Sequence, residues 1–332
     1  MTGDIQTYHC HFYSSREHIL VFGHPDLKEA AFLSSQLLEI NQELNNLTRE
    51  LNKKNMELAN QRAAVAERNR LLETDLRAAA VIQQSLLPVD TPFLRGLRFA
   101  YRFKPCDAIG GDIFHIFPLP GNKLGVYILD VSGHGTPAAM VSVCVHQSML
   151  PLSGLVADLS QSPPRVLSPE EVLDALDREF PFERFETFFT ICYAVIDPAG
   201  GFLSCSNAAH PPPVIIDPQG NVTVLERSGG IIGLDRISAF GQNDAALPPG
   251  SRLIMVTDGI LDHGAGAAES FGFQRYLASL QKSARLSLDE QLGAVMADVE
   301  AFSGSLEAKD DMTLFGLENN PPTAWQTAAL HF

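Results

Sequence analysis

The feature that most constrains this chain is the stretch Ile109–Ala139, where two apolar runs flank a turn and an aspartate stands at the far end of each run. Pro120-Gly121-Asn122 has the composition of a tight turn between strands. Asp112 lies nine residues before Gly121 and Asp130 lies nine residues after it. An antiparallel hairpin therefore places the two carboxylates opposite each other at its open end, where they repel unless a cation lies between them. The hairpin alone predicts a cation site.

Glycines beside both aspartates support this prediction. Gly110-Gly111 permits a tight bend just before Asp112, and Ser132-Gly133-His134-Gly135 permits another just after Asp130, where a helical pattern begins. The alternative interpretation is a hairpin whose terminal carboxylates are simply solvated.

Two further aspartates stand at strand ends. The buried-type run Leu253–Thr257 ends at Asp258, and Asp310 precedes the strand-like run Met312–Leu317. If these strands pair antiparallel, Asp258 and Asp310 also meet at one edge. Bringing both edges together would create an oxygen-rich cluster suited to two Mg²⁺ or Mn²⁺ ions. The sequence contains neither the Cys/His spacing of a zinc site nor a phosphate-binding glycine loop with its lysine.

The N-terminal part predicts a long helix. Residues 27–87 form a helical pattern without Pro or Gly. One apolar stripe recurs every seven residues, at Leu37, Leu44, Leu51, Leu58, Val65, Leu72 and Ala79. A second stripe starts with Ile40 and Leu47 but then turns polar. This pattern favours a parallel coiled-coil dimer of marginal stability over the alternative, a long surface helix packed on its own domain.

The remaining pattern predicts the domain organisation. Strand-like runs between residues 97 and 317 come in neighbouring groups joined by short turns, with helical runs between the groups. That arrangement is typical of an α+β fold in which antiparallel sheets are flanked by helices. The predicted segments are a short strand-like N-terminal segment at 1–26, a coiled-coil and linker helix at 27–88, a main domain at 97–318 and a tail at 319–332.

Charge and composition narrow the range of partners. Residues 1–95 hold 10 Lys and Arg against 12 Asp and Glu, so −13 of the net charge of −15 falls on the remainder. An acidic main domain argues against nucleic acid as a partner. The sequence has no apolar run long enough to span a membrane and no signal-peptide pattern at its start. Its five scattered cysteines fit reduced thiols, and we therefore expect a cytoplasmic protein.

Six motifs occur in an order that resembles the SpoIIE-type phosphatases, which are metal-dependent type 2C (PPM) serine/threonine phosphatases. They are GGDIFHIF, ILDVSGHGTPAAM, FFTICYAVIDPAGG, NAAHPPPV, VTDGI and KDDMTL. The resemblance extends from about Leu76 to Leu317 and implies a sandwich of two antiparallel sheets with helices outside, the αββα architecture. It also implies regulation through an N-terminal segment that couples through a helix.

The resemblance implies a ligand set for two Mn²⁺ or Mg²⁺ ions. Its members are the carboxylates of Asp112, Asp130, Asp258 and Asp310, which are also the implied catalytic residues, together with the Val131 carbonyl and, ranked below Asp310, Asp311. The implied reaction is direct attack of a metal-activated water on a phosphoserine or phosphothreonine of a protein. The implied substrate is a STAS-domain anti-anti-sigma factor in bacterial signalling.

Several positions depart from the family pattern. His115 stands where an acidic residue is common, Ala209 replaces a glycine, and Asp262 replaces a glutamate. His134 is a candidate proton donor, although its offset from Asp130 differs from that of the acid histidine in the broader type 2C group. Asn207 and His210 are interpreted as strand-end and turn residues rather than as catalysts.

Two other functions stay open at this point. One is a catalytically silent coiled-coil module that binds its partner without turnover, and the complete set of aspartates argues against it. The other is a phosphatase for small phosphoesters, which the metal ligands alone do not distinguish from a protein phosphatase.

Overall fold

The computed structural model describes residues 8–25, 27–88, 96–107, 109–151, 155–234, 239–264, 269–304 and 310–320. The predicted tail, apart from its first two residues, and most of the predicted linker near residue 90 lie outside this range. The chain divides into two compact units, Met1–Leu72 and Glu73–Phe332. No helix in the described part of the chain is long and apolar enough to cross a membrane.

The first unit contains a β-hairpin and most of one long helix. The hairpin pairs β1 (Tyr8–Ser14) with β2 (Ile19–Pro25) in antiparallel register, and α1 extends over Leu27–Gln84. Every side chain of the hairpin whose burial is described is exposed. The heptad stripe from Leu37 to Leu72 is exposed as well, with exposed fractions from 45% at Leu58 to 61% at Leu51, whereas its last member, Ala79, is half-buried in the second unit. The single chain therefore leaves the predicted coiled-coil stripe uncovered.

The second unit contains the end of α1 and the rest of the elements. Its strands are β3 (Leu97–Lys104), β4 (Ile113–Leu119), β5 (Lys123–Val131), β6 (Ala157–Asp158), β7 (Arg165–Val166), β8 (Phe189–Asp197), β9 (Phe202–Ala208), β10 (Val214–Ile216), β11 (Val222–Val224), β12 (Gln242–Ala246), β13 (Arg252–Val256) and β14 (Met312–Asn319). Its other helices are α2 (Thr136–Ser148), α3 (Pro169–Glu179), α4 (Phe182–Phe185), α5 (Asp258–Leu261), α6 (Gly272–Lys282) and α7 (Leu288–Ser303).

Two five-stranded antiparallel sheets form the centre of this unit. Their strand orders are β12-β9-β8-β5-β4 and β11-β10-β13-β14-β3. Phe114 of the first sheet packs against Tyr101 and Phe315 of the second, with ring centroids 4.9 and 5.4 Å apart. Helices α2 and α3 contact the first sheet, and α6 and α7 contact the second. The structure thereby confirms the predicted αββα sandwich.

The hairpin of β4 and β5 forms in the register expected from its turn. Ile113 pairs with Leu129, and a 3₁₀ turn at Pro120–Asn122 joins the strands. Gly121 has a φ of 73°, a conformation that favours glycine. Continuing the register by one residue places Asp112 opposite Asp130.

Several predicted boundaries need correction. The edge strand β12 was not expected, because its sequence Gln-Asn-Asp-Ala-Ala lacks the apolar alternation that identifies a half-buried strand. The Ser- and Pro-rich residues 155–168, whose composition is typical of a surface loop, include the short antiparallel pair β6 and β7. Asp258 does not end β13; it begins the short helix α5, because Thr257 is the extended residue that precedes the helical turn.

Candidate metal centre

A cavity of about 250 Å³ opens at one end of the sandwich. It is lined by Asp130, Val131, Ser132, Gly133, Phe188, Phe189, Thr190, Asp258 and Asp310. The cavity thus brings together three of the predicted carboxylate ligands and Val131, the residue of the predicted carbonyl ligand. These residues come from β5, from the start of α5 and from the residues just before β14. The structure brings the two predicted carboxylate edges together.

Asp112 lies behind this cavity and links the two sheets. Its Oδ2 accepts hydrogen bonds from the Thr257 hydroxyl (2.8 Å), directly after β13, and from the Thr313 hydroxyl in β14, so both donors come from the side of the opposite sheet. Its Oδ1 is buried and has no hydrogen-bond partner in the described part of the chain. Burial raises the pKa of this carboxyl well above its usual range, and the charges of Asp130 and Asp311 raise it further.

Asp130 is at the centre of the carboxylate cluster. Burial raises its pKa to about 8, and Asp258 and Asp310 contribute as neighbouring negative charges. The nearby Asp258 carboxyl thus favours the protonated form of Asp130. Carboxylates this crowded retain protons near neutral pH unless a cation compensates their charge.

The Val131 carbonyl approaches the glycine pair that precedes Asp112. A Cβ on Gly111 would lie 2.8 Å from this carbonyl oxygen, so only glycine allows the two backbones to come this close. The pairing between β5 and β8 continues one residue further, because the Ser132 N–H donates to the Phe188 carbonyl. The Val131 carbonyl belongs to the same peptide unit and points the opposite way, away from β8 and towards Gly111.

Asp310 and Asp311 differ in their environments. Asp310 is exposed, and its Oδ1 accepts a hydrogen bond from the Asp311 N–H at 2.8 Å. Asp311 is buried, and its two carboxylate oxygens accept from the Cys106 N–H at 2.9 Å and from the Asp112 N–H at 3.2 Å. Asp311 therefore holds the backbone before β4 in place, which supports ranking it below Asp310 as a candidate ligand.

The donor chemistry at this end of the sandwich fits a hard divalent cation. The candidate ligands are carboxylate and carbonyl oxygens, the type that Mg²⁺ and Mn²⁺ prefer. Asp112 Oδ1 is an unpaired buried acceptor, and burial together with mutual repulsion raises the pKa of both Asp112 and Asp130. Among the residues that the structure describes, no three His, Cys, Asp or Glu side chains are already spaced as a complete ligand set. Closing the set would require movement of these carboxylates.

The histidines named from the sequence lie at three different places. His134 is exposed near the cavity, and its Nδ1 lies 3.1 Å from Asp107 Oδ2. His115 lies away from the cavity, where its ring meets the His146 ring edge-on at 4.8 Å. His210 is buried, and its backbone exchanges two hydrogen bonds with the Asn207 side chain. The interpretation of Asn207 as a turn residue agrees with this geometry.

The other two departures from the family pattern are also outside the cavity lining. Ala209 adopts a φ of 52°, so an alanine occupies a left-handed position in the turn. The Asp262 side chain is exposed, and its N–H ends α5 by donating to the Asp258 carbonyl.

Three threonines near the cavity were not identified from the sequence. Thr257 and Thr313 hold Asp112, and Thr190 lines the cavity. Thr257 immediately precedes Asp258, and Thr190 lies in the FFTICYAVIDPAGG motif. Their position in or next to the family motifs could therefore have identified them as candidate site residues. Their roles depend on contacts across the sandwich, which strand patterning does not reveal.

Solved structures share this fold. The SiaA-PP2C domain of Pseudomonas aeruginosa superposes with a TM-score of 0.62 at 21% identity, over 75% of this chain and 98% of that one. The PP2C phosphatase domain of SpoIIE from Bacillus subtilis, solved with a fragment of its regulatory domain, gives 0.55 at 18% identity over 68% and 64%. The sandwich is therefore that of the PP2C-type phosphatase domains.

The chain belongs to the family described as Stage II sporulation protein E (SpoIIE), which it matches over residues 120–320. Protein IcfG of Synechocystis is 27% identical over 74% of this chain, and phosphoserine phosphatase RsbP of B. subtilis is 28% identical over 46%. Phosphoserine phosphatase RsbU of B. subtilis is 25% identical over 58%. The aligned regions span 42%, 37% and 54% of these relatives' own lengths.

Proposed function

We propose that this protein is a Mn²⁺- or Mg²⁺-dependent phosphatase that hydrolyses phosphoserine or phosphothreonine in a protein. The observation that best supports the proposal is the convergence of Asp130, Asp258, Asp310 and Val131 on one cavity, with Asp112 directly behind it. Residues this far apart in sequence have no packing reason to bring carboxylates together, since burying like charges is unfavourable without a cation.

The residues of the chain have distinct tasks in this reaction. Asp130, Asp258 and Asp310 would hold the ions from the cavity side, and Asp112 would contribute its unpaired Oδ1. Thr257 and Thr313 fix the other oxygen of Asp112, so this carboxylate is oriented before any ion binds. When bound, the two ions supply Lewis acidity that activates an attacking water and neutralises the phosphoryl oxygens.

The proposed substrate is a phosphorylated STAS-domain anti-anti-sigma factor in a bacterial signalling pathway. Support comes from the family membership and from two relatives that are named phosphoserine phosphatases. An open cavity flanked by exposed groups such as His134 also suits a side chain presented by a protein better than a fully enclosed small molecule.

We also propose that the chain forms a homodimer through α1. Each heptad position from Leu37 to Leu72 is exposed in the single chain, and a second copy in parallel would cover this stripe. Deletion of residues 1–75 should leave a folded catalytic domain that elutes as a monomer. An unchanged oligomeric state after the deletion would remove the dimer proposal.

Phosphate release tests the proposed reaction. Wild-type protein should release phosphate from p-nitrophenyl phosphate and from a phosphoserine STAS protein with Mn²⁺ and not with EDTA. Asp130→Asn and Asp258→Asn should lose activity and Mn²⁺ affinity while far-UV circular dichroism stays that of a folded protein. Asp262→Asn is the matched control, because this nearby exposed carboxylate does not line the cavity.

The outcomes separate the alternatives. Turnover of the small ester alone would support a phosphatase for small phosphoesters. No release from either substrate by protein that binds Mn²⁺ would support the catalytically silent module. Full turnover by Asp130→Asn at limiting Mn²⁺ would show that the ligand assignment is wrong.

A further inference from the structure

Thr190 and His210 form a hydrogen-bonded pair beside the candidate metal centre. Thr190 lines the cavity and is the cross-strand partner of Asp130, so the two side chains share one face of the sheet. Its Oγ1 lies 2.8 Å from Nδ1 of His210. The His210 ring is buried, with only 3% of the residue exposed. The cavity lining is thus connected to a histidine that solvent barely reaches.

The surroundings of His210 determine which nitrogen carries the proton. Residues 211–213 are three prolines, so the chain beside the end of β13 offers no backbone N–H to the Val256 carbonyl. Burial lowers the pKa of the His210 ring, and the Val256 carbonyl partly opposes this shift, so the carbonyl favours a ring N–H. Nε2 is buried without a hydrogen-bond partner in the described part of the chain, whereas Nδ1 lies 2.8 Å from the Thr190 hydroxyl oxygen. Because Nδ1 already has a hydroxyl partner, the nearby carbonyl favours the tautomer with the proton on Nε2, in which Nδ1 accepts.

This tautomer sets the direction of the Thr190 hydroxyl. Because Nδ1 accepts, the Thr190 O–H donates to it, and the oxygen lone pairs of Thr190 are left for the cavity. Burial also lowers the pKa of His210 to about 3, so the ring stays neutral under ordinary conditions and the direction does not change.

We propose that Thr190, oriented by His210, is a positioning residue that offers a hydrogen-bond acceptor to a water molecule in the aspartate cavity. The inference rests on the proposed phosphatase function. A water that donates one proton to Thr190 Oγ1 has its rotation restricted, so that a lone pair can be directed at a phosphorus atom above the carboxylates. Thr190 thereby orients the water without removing its proton, because its own hydroxyl is committed to His210.

A purely structural role explains less of this geometry. The turn that contains His210 is already held by the Asn207 side chain, which accepts from the His210 N–H at 2.8 Å and donates to the His210 carbonyl at 2.9 Å. The turn therefore does not need Thr190 for its shape. A hydroxyl used only to satisfy a buried ring would also have no reason to lie on the cavity surface.

Three variants test the proposal. Thr190→Val removes the hydroxyl at nearly constant volume, and Thr190→Ser keeps the hydroxyl. Tyr127→Phe is the matched control, because Tyr127 lies in the same sheet and its hydroxyl is 2.7 Å from Nδ1 of His146 in α2, but it does not line the cavity. Each variant is measured for kcat and KM with p-nitrophenyl phosphate and Mn²⁺, for Mn²⁺ affinity by calorimetry, and for thermal stability.

The expected pattern is specific. Thr190→Val should lower kcat by about 10-fold to 100-fold, the usual range for residues that orient a metal site from outside it. Its KM and Mn²⁺ Kd should stay within about twofold, which is the pattern for an interaction made only in the transition state. Thr190→Ser should recover most of kcat, and Tyr127→Phe should retain it. The ¹⁵N spectrum should show the His210 signal, identified by its loss in His210→Asn, as the Nε2–H tautomer.

Each contrary result overturns the inference. Wild-type kcat in Thr190→Val would show that the hydroxyl positions nothing, and an Nδ1–H tautomer would reverse the direction of the bond. If Thr190→Val and Tyr127→Phe lost kcat equally and in proportion to their loss of thermal stability, the role of Thr190 would be structural. If the wild type released no phosphate at all, both the proposed function and this inference would be wrong. If the wild type were active and Thr190→Val were equally active, only this inference would be wrong.

Discussion

The carboxylate of Asp311 occupies the space that a side chain on Gly110 would need. A Cβ built on Gly110 overlaps Asp311 Oδ2, the oxygen that accepts from the Asp112 N–H. The φ of Gly110 is not in the left-handed range, so backbone conformation is not what requires glycine here. Close packing against a buried carboxylate is the reason, and it connects the glycine pair to the position of Asp112.

Gly110→Ala should therefore displace Asp311 and loosen the backbone that carries Asp112. We expect a loss of about 1–3 kcal/mol in the free energy of unfolding, the range for a buried polar group that loses its partners. Manganese-dependent activity should fall at the same time. Urea denaturation and phosphate release measure the two effects.

Gly230→Ala is the control for this substitution. A Cβ there meets nothing within 4 Å, and its φ is not positive, so stability should change little. A Gly110→Ala protein as stable as Gly230→Ala would show that Asp311 can move away without cost.

The Gln83 side chain should link the end of α1 to the glycine pair. It is 6% exposed and donates from Nε2 to the Gly110 carbonyl at 2.8 Å and to Ser142 Oγ at 3.1 Å. Gln83→Ala leaves a buried carbonyl without its donor, so we expect a loss of about 1–2 kcal/mol in unfolding free energy and reduced activity. The exposed Gln84 provides the control, and equal effects of Gln83→Ala and Gln84→Ala would contradict a role for these two bonds.

Ala209→Gly should stabilise the protein. Ala209 has a φ of 52°, where a Cβ costs about 1–2 kcal/mol. Glycine removes this cost, but its greater conformational entropy in the unfolded chain offsets part of the gain in stability. We expect a net gain of up to about 1 kcal/mol, measured as a higher midpoint in urea with an unchanged slope. A destabilised variant would mean that the turn adopts a different conformation in solution.

His115 should make the protein sensitive to mild acid. Burial beside His146 lowers the pKa of His115 from 6.5 to about 4, although the Leu86 backbone partly opposes this. Since the unfolded chain takes up the proton at higher pH than the folded chain, the contribution of His115 to the free energy of unfolding should fall as pH drops from about 6.5 to about 4, then level off. The slope from one such group is at most about 1.4 kcal/mol per pH unit.

His115→Gln tests this origin of the acid sensitivity. Glutamine keeps a donor for the Leu86 backbone but does not titrate, so its stability should depend less on pH between 4 and 6.5 than that of the wild type. His18→Gln, at an exposed position in the β1–β2 turn, should leave the slope unchanged. Parallel slopes for wild type and His115→Gln would assign the acid sensitivity to other groups.

The hairpin with its two aspartates was predictable because its information is local. Turn composition and equal spacing around Gly121 determine the register, and the structure pairs Ile113 with Leu129 as that spacing requires. The sandwich followed from the grouping of strands, since neighbouring strands joined by short turns pair with each other. The same reasoning missed β12, an edge strand whose polar residues resemble a loop.

The arrangement around the carboxylates was only partly predictable. Strand ends indicated which aspartates could meet. They did not indicate that Asp258 begins a helix or that Asp311 accepts hydrogen bonds from the backbone, because both features depend on how the two sheets pack together. The bonds from Thr257 and Thr313 to Asp112 join residues 145 and 201 positions apart. No pattern within a single segment encodes contacts of this separation.

These long separations have a consequence for synthesis of the chain. The bond from Thr313 to Asp112 needs β14, which is among the last described segments to leave the ribosome. A nascent chain that ends before Asp310, two residues ahead of this strand, holds Asp112, Asp130 and Asp258 but lacks the complete carboxylate set. Phosphatase competence would then arise only once the sandwich closes, and a truncated translation product would be silent without any inhibitor.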